Sequence, residues 1–312
     1  MRKLFALLIV IAFSFNSFGQ RGYKKPYWNA SIMLSSATFL SDLGGKDFYG
    51  SNDPSDIDFS DIRYALGGGL DWNNGKGFSM GFNAFYSRLS ADDAETDWDR
   101  KYRMLHVRTD LIETNFKLQY TFPKTIPGLA GVYFNVGGGV TFFKPMAEWN
   151  GIWYDLRPMG TEGQNIDPTR EPYKVFSPVI PFGFGKRFAL RNGMNIAVDI
   201  SLRKSFTDYL DDVSTVYADT NLILADAGVA AAHFSNPSNG EDGVGRIGKE
   251  RGNPNNNDNY FLFGLKLEIP LGQAGKYGNY NTSCAFQNSW ISNRGTTPKF
   301  RKRGKTRRKI FR

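Results

Sequence analysis

The stretch from Ile112 to Phe122 constrains the fold more than any other part of the chain. Its even positions are Ile112, Thr114, Phe116, Leu118, Tyr120 and Phe122, and its odd positions are Glu113, Asn115, Lys117, Gln119 and Thr121. Successive side chains of an extended strand point to opposite faces. The stretch therefore reads as a strand with one face for an apolar surrounding and one for a polar interior. Val132–Phe142 has the same pattern, with Val132, Phe134, Val136, Val140 and Phe142 on one side. Six further segments alternate similarly: Tyr27–Phe39, Ile62–Asn73, Gly77–Leu89, Tyr173–Leu190, Gly193–Phe206 and Asn259–Leu271. Pro178 and Pro181 fall inside the sixth strand, where lost amide donors predict a bulge or an irregular start.

The connections alternate between long and short. Leu40–Asp61, Ser90–Arg103, Lys144–Pro172 and Thr207–Asp258 are long, whereas Asn74–Lys76, Pro123–Ala130 and Arg191–Asn192 are short. Long extracellular loops and short periplasmic turns are the asymmetry of transmembrane barrels. The predicted fold is thus all-β: an eight-stranded antiparallel transmembrane β-barrel with long extracellular loops, both ends facing the periplasm. Aromatic residues at 15% and 34 glycines accord with this, as only alternate residues would face lipid. No stretch of eighteen apolar residues predicts a helical span.

The ends differ from the body. Arg2 and Lys3 precede the apolar run Leu4–Phe15, and Ser17 and Gly19 supply small residues before a cleavage point. Residues 1–19 read as a cleaved export signal, too short for a membrane anchor. Residues 20–272 hold the barrel, and 273–312 form a basic periplasmic tail. The net charge of +9 belongs to the ends: after Gln273 there are eleven Lys and Arg and no acid, and the leader has two more. The body is left slightly acidic. In an exported chain such a tail faces lipid headgroups, cell-wall polymers or an acidic protein, not nucleic acid.

Inward positions include Arg63, Asp71, Asn83, Glu113, Lys117, Asp199, Arg203, Lys266 and Glu268. Eight strands leave an interior just wide enough for side chains to fill. Opposite charges there should pair, since an unpaired buried charge is costly. Pairs among Arg63, Glu113, Lys117, Asp199 and Arg203 predict a plugged barrel. Asp53, Asp56, Asp58 and Asp61 could ligate calcium, but Pro and Ser between them favour a solvated acidic loop. Two histidines and one cysteine, Cys284, offer no metal centre, and no cofactor is predicted. His106 and Asp110 lack a nucleophile elbow, so no enzyme is predicted.

Thr207-Asp208-Tyr209-Leu210-Asp211-Asp212-Val213-Ser214, at the end of the seventh strand, is the most distinctive string. Its three acids could bind a cation, but a solvated strand end, where Asp and Ser start turns by bonding nearby amides, is the simpler reading. With the leader, the eight segments and Phe143-Lys144-Pro145 at the exit of the fifth strand, this string resembles the PorG-like family of Bacteroidetes outer-membrane β-barrels, components of the type IX secretion and gliding machinery. The resemblance reaches to about Leu271. It implies a non-enzymatic barrel in outer-membrane lipid that anchors periplasmic secretion-ring proteins and lipoproteins. A small porin or hydrophobic-ligand transporter is the alternative. Tyr277, Tyr280, Phe286 and Trp290, followed by Arg301, Lys302, Arg303, Arg307, Arg308 and Lys309, read as a docking arm with aromatic anchors and a basic end that could also touch the cell wall.

Overall fold

The computed structural model describes residues 26–41, 43, 61–93, 103–123, 125–126, 128–190, 193–238 and 245–271. Residues 1–19, read from the sequence as an export signal, the tail 273–312 with its proposed docking residues, and Asp53, Asp56 and Asp58 lie outside the described residues. Eight antiparallel strands close into a barrel: β1 (Tyr27–Leu40), β2 (Arg63–Asn73), β3 (Phe78–Asp92), β4 (His106–Thr121), β5 (Val132–Trp149), β7 (Phe176–Ala189), β8 (Asn195–Ser205) and β9 (Asn259–Leu271). Each pairs with its sequence neighbour in the wall, and β1 pairs with β9 to close it. A short β6 (Ile152–Asp155) pairs only with the far end of β5.

The hairpin chemistry is local. At the β2–β3 turn Asn74 Oδ1 accepts from the Lys76 and Phe78 amides at 2.7 and 3.1 Å, and Gly75 and Gly77 take the positive φ that the turn needs. All short turns and the described chain ends, residues 26 and 271, lie at one end of the barrel. The strand ends that bound the connections 41–62, 93–105, 150–175 and 206–258 lie at the other, here called the mouth.

Alternation sorts the walls as the pattern of Ile112–Phe122 predicts: Glu113, Asn115, Lys117, Gln119 and Thr121 are buried, while Ile112, Phe116, Leu118 and Tyr120 are exposed. The outer surface is a continuous apolar belt, with Phe82 still 69% exposed. Rings cluster towards the short-turn end, where Tyr120, Phe122, Phe134 and Phe184 form a ladder with centroids 5.6, 5.8 and 6.4 Å apart. Soluble monomers rarely expose apolar surface of this extent, and it suits strands that cross a bilayer. No helix among the described residues is long and apolar enough to cross a membrane.

Glycine makes room inside. A Cβ at Gly67 would collide with the ring of its cross-strand neighbour Phe85, and one at Gly185 would collide with Tyr133. Large inward rings are thus set opposite glycines, so that they can lie flat across the lumen.

Four features depart from the sequence reading. β5 does not exit at Phe143-Lys144-Pro145; it continues to Trp149, because the odd positions Pro145 and Ala147 still face inward and β6 folds back to pair with it. β7 begins at Phe176, three residues later than read, and Tyr173 belongs to the mouth. No bulge marks Pro178 or Pro181. The β5–β7 register is the same on both sides of a short unpaired step opposite Gly137 and Gly138, and a missing donor is absorbed there without an extra residue. The last long connection carries an unforeseen helical stretch, α1 (Thr220–Ser235), broken into two segments at Gly228 (φ 84°); the first is capped by Asp219, whose side chain accepts from the Asn221 amide at 2.9 Å.

Candidate functional site: a bridged lumen under a folded cap

The interior has two tiers. From mid-barrel, where Arg203 and Glu113 meet, down to the short turns, the inward charges are Lys117, Arg187, Arg203 and Lys266 against Asp71, Glu113, Asp199 and Glu268, all buried. The tier is neutral by composition, as a closed low-dielectric space requires. Its bonds cross the lumen. Tyr260 on β9 donates to Glu113 on β4 at 2.7 Å, and Lys266 on β9 donates to Gln119 on β4 at 3.5 Å. These strands stand opposite each other in the ring. Arg203 on β8 also reaches Glu113, at 3.3 Å, and lies over the Phe85 ring on the opposite wall. Glu268 holds both Arg187 (2.6 Å) and Lys266 (2.9 Å). Tyr133 donates to Asp199 at 2.6 Å.

The upper tier is apolar. Phe39, Phe85, Leu89, Leu111, Phe143 and Val179 line it, and Leu210 and Val213 enter it from the connection between β8 and β9. The string Thr207–Ser214 is therefore the stopper of the mouth. Asp212 sits at φ 66°, and its carboxylate accepts from Thr161 (2.5 Å) and Tyr173 (2.6 Å). Asp211 accepts from the Val213 amide at 2.9 Å, and Thr109 on β4 donates to the Leu210 carbonyl at 2.5 Å. Tyr209 stacks on Tyr173 with ring centroids 4.5 Å apart. Asp211 thus serves a turn and Asp212 an ion pair with Arg251 at 3.8 Å, and the acids are buried, where the sequence favoured a solvated strand end.

Glu162 and Arg251 lock the stopper. Arg251 contacts Glu162 at 3.0 Å and donates to the Asp212 carbonyl at 2.6 Å. Glu162 also accepts from the Ser214 amide (2.9 Å) and the Thr215 hydroxyl (2.6 Å). Arg103, paired with Asp93 at 2.8 Å, donates to the Arg251 carbonyl at 2.7 Å. Burial drives the Asp212 carboxyl up to about 6 against the opposing pull of Arg251, and drives the Tyr209 hydroxyl up to about 12.

Of the five predicted lumen charges, one pair forms among themselves: Arg203 with Glu113. Arg63 does not reach the lumen network. It is at the rim, with Asp61 at 3.7 Å and Ser90 within hydrogen-bond reach, because its strand position is the last before the mouth. Asp199 takes a tyrosine hydroxyl in place of a cation, and Lys117 donates to Asn83 at 3.4 Å. Lys266 and Glu268, read as inward, lie at the centre of the network. Arg187, Tyr133, Tyr260, Glu162 and Arg251 were not anticipated. The first three occupy the inward parity of their strands, a signal that was available. The last two lie in connections, where no periodicity marks them.

Among the described residues the lumen is bridged between opposite walls and stoppered above, which predicts little ion flow along its axis. Purified protein in planar bilayers is expected to show no stable unit conductance. Large, steady openings would overturn the closed-lumen description.

The fold and its lining define the class: a closed eight-stranded β-barrel with an apolar exterior and a filled, charge-paired interior. No protein-family model and no curated protein sequence matches the chain. Among solved structures it is similar to Ail, the attachment invasion locus protein of Yersinia pestis, solved with a heparin analogue (7% identity, 78% of this chain and 99% of that one, TM-score 0.35). It is also similar to the outer-membrane protein AlkL in lipid bilayers (13% identity, 81% and 94%, TM-score 0.35). OprG of Pseudomonas aeruginosa gives 10% identity, 80% and 99%, and a TM-score of 0.29. At these scores the barrel assignment rests on the strand pairing itself.

Proposed function

We propose that the chain is a non-enzymatic outer-membrane barrel of PorG-like type, which anchors periplasmic secretion-ring proteins and lipoproteins of a type IX machinery to the membrane of a Gram-negative bacterium. The observation that carries this reading is the bridging of the lumen by Tyr260–Glu113 and Lys266–Gln119 beneath the Leu210 stopper. A barrel filled in this way is poorly suited to conduct or to pass ligands through its axis, so its work would fall to its ends. On this reading the short-turn end faces the periplasm. From it the chain continues past β9 into Tyr277, Tyr280, Phe286 and Trp290 and the basic run Arg301–Arg312. Aromatic anchors would supply affinity, and exposed charges steering.

Two truncations test it in the full envelope. Stopping after Thr297 is expected to weaken co-purification of crosslinked partners and to reduce its salt sensitivity, because the basic end is lost. Stopping after Gly272 is expected to abolish it while the barrel still inserts. Unchanged partner recovery and unchanged secretion after the second truncation would refute the anchoring role of the tail.

A further inference from the structure

The outer wall changes from apolar to charged abruptly near the mouth. On β3 the outward series passes from Phe82 and Tyr86 to Arg88, on β4 from Ile112 to Asp110 and Arg108, and on β5 from Phe142 to Lys144. Next to β5 the pairing continues from the Phe143 amide to the Val175 carbonyl at 3.0 Å, which sets the exposed Lys174 beside the position of Lys144. Four cations therefore stand directly above the belt on one side of the barrel. Two carboxylates answer them: Asp110 holds Arg88 at 2.7 Å and lies 4.0 Å from Arg108, and Asp155 lies 3.4 Å from Lys144. Further along the same outward faces, four residues beyond Arg88 and Lys144, stand Asp92 and Glu148, and Glu171 precedes Lys174 by three residues in the connection. Arg108 is already fixed, its guanidinium stacked 3.8 Å from the Trp153 ring centre.

We propose that this sector, centred on Arg88, Arg108, Lys144 and Lys174, binds the phosphorylated headgroup of an outer-leaflet lipid whose chains lie along Phe82, Ile112 and Phe142. The boundary of an apolar belt is where headgroups sit, and a cation held there meets lipid phosphate without leaving the membrane surface. Guanidinium groups match phosphate oxygens in geometry as well as charge. At the boundary of the belt itself the four cations face two carboxylates, Asp110 and Asp155, which leaves positive charge where a headgroup would sit. The proposal rests on the reading that the mouth faces outside.

Native mass spectrometry of the detergent-solubilised full chain, with diphosphoryl lipid A as probe, tests it. The variant R88Q/R108Q/K144Q/K174Q is expected to retain at least about tenfold less lipid, since each cation near an anionic surface contributes roughly fivefold. Asp110→Asn, which frees Arg88, is expected to retain more than the natural chain, and Lys76→Gln at the opposite end is expected to change nothing. Monophosphoryl lipid A should bind more weakly than the diphosphoryl form. Equal retention by the fourfold variant, indifference to the second phosphate, or displacement by millimolar inorganic phosphate would each overturn the lipid site. A heat-shifted gel band confirms that each variant is folded, and the opposite sign expected for Asp110→Asn keeps the test decisive if the fourfold variant is not. Orientation is checked separately. With Cys284→Ser, an impermeant thiol reagent on whole cells should label Asn255→Cys and not Lys76→Cys. The reverse result would remove the outward orientation while the binding result on purified protein still stands.

Discussion

Replacing Glu268 with leucine is expected to lower the stability of the barrel by about 3–5 kcal/mol, the cost of stranding buried charge. One carboxylate there serves Arg187 and Lys266 together, with Asn195 a further donor at 3.4 Å. Leucine fills the volume but leaves two buried cations, Arg187 and Lys266, without their shared carboxylate. Glu268→Gln keeps part of the hydrogen bonding and should fall between leucine and the natural residue. The triple change R187M/K266M/E268L removes the whole triad and should recover most of the loss, because an apolar replacement of similar volume is often neutral. Urea unfolding in lipid vesicles, followed by tryptophan fluorescence, reads all three. A Glu268→Leu barrel within about 1 kcal/mol of the natural one would mean that water reaches the network.

The second large effect concerns the stopper. Glu162→Leu is expected to undock the connection 206–258 and leave the wall of the barrel standing. Glu162 is buried and accepts from two backbone amides and a hydroxyl besides holding Arg251. Its loss strands a guanidinium and orphans those donors, at a cost of about 3–5 kcal/mol confined to the cap. Limited proteolysis should then cut between β8 and β9 at least tenfold faster, with the strand fragments still protected. Cleavage at the natural rate would show that Glu162 is not the lock.

The cap also carries a pH signature. The Asp212 carboxyl, raised to about 6 from an ordinary 3.8, binds its proton more tightly in the docked state. Its stabilising contribution is therefore complete below about pH 4 and is lost as pH rises through about 6. Asp212→Asn should flatten that part of the cleavage-rate profile.

The wall of this protein was legible because each strand sits between two different surroundings, and period two records the difference residue by residue. Ile112–Phe122 states its faces without ambiguity. Lys266 and Glu268 were placed inward by the same rule, and they meet there. What parity cannot convey is which inward groups touch. Partners such as Tyr260 and Glu113 belong to strands that are opposite only after closure, so no spacing along the chain relates them. The cap was opaque for a different reason. Glu162 and Arg251 lie 89 positions apart in irregular segments, and nothing local distinguishes them from solvated loop charges. The string Thr207–Ser214 was conspicuous, but whether its acids faced water, a cation or Arg251 depended on a fold that the string does not encode.

The bridges across the lumen also bear on assembly. A flat or half-curled sheet holds β4 and β9 apart, with Glu113 and Tyr260 unable to meet and every inward charge still hydrated. The cross-lumen bridges Tyr260–Glu113 and Lys266–Gln119 form only when the two sides of the sheet curl into a ring, whereas pairs within one strand or between near strands, such as Lys266–Glu268 and Arg187–Glu268, can form earlier. Closure should therefore be cooperative: partly zipped intermediates gain little from the cross-lumen bridges and remain free to unzip, whereas the completed ring is trapped by bonds that did not exist one step earlier.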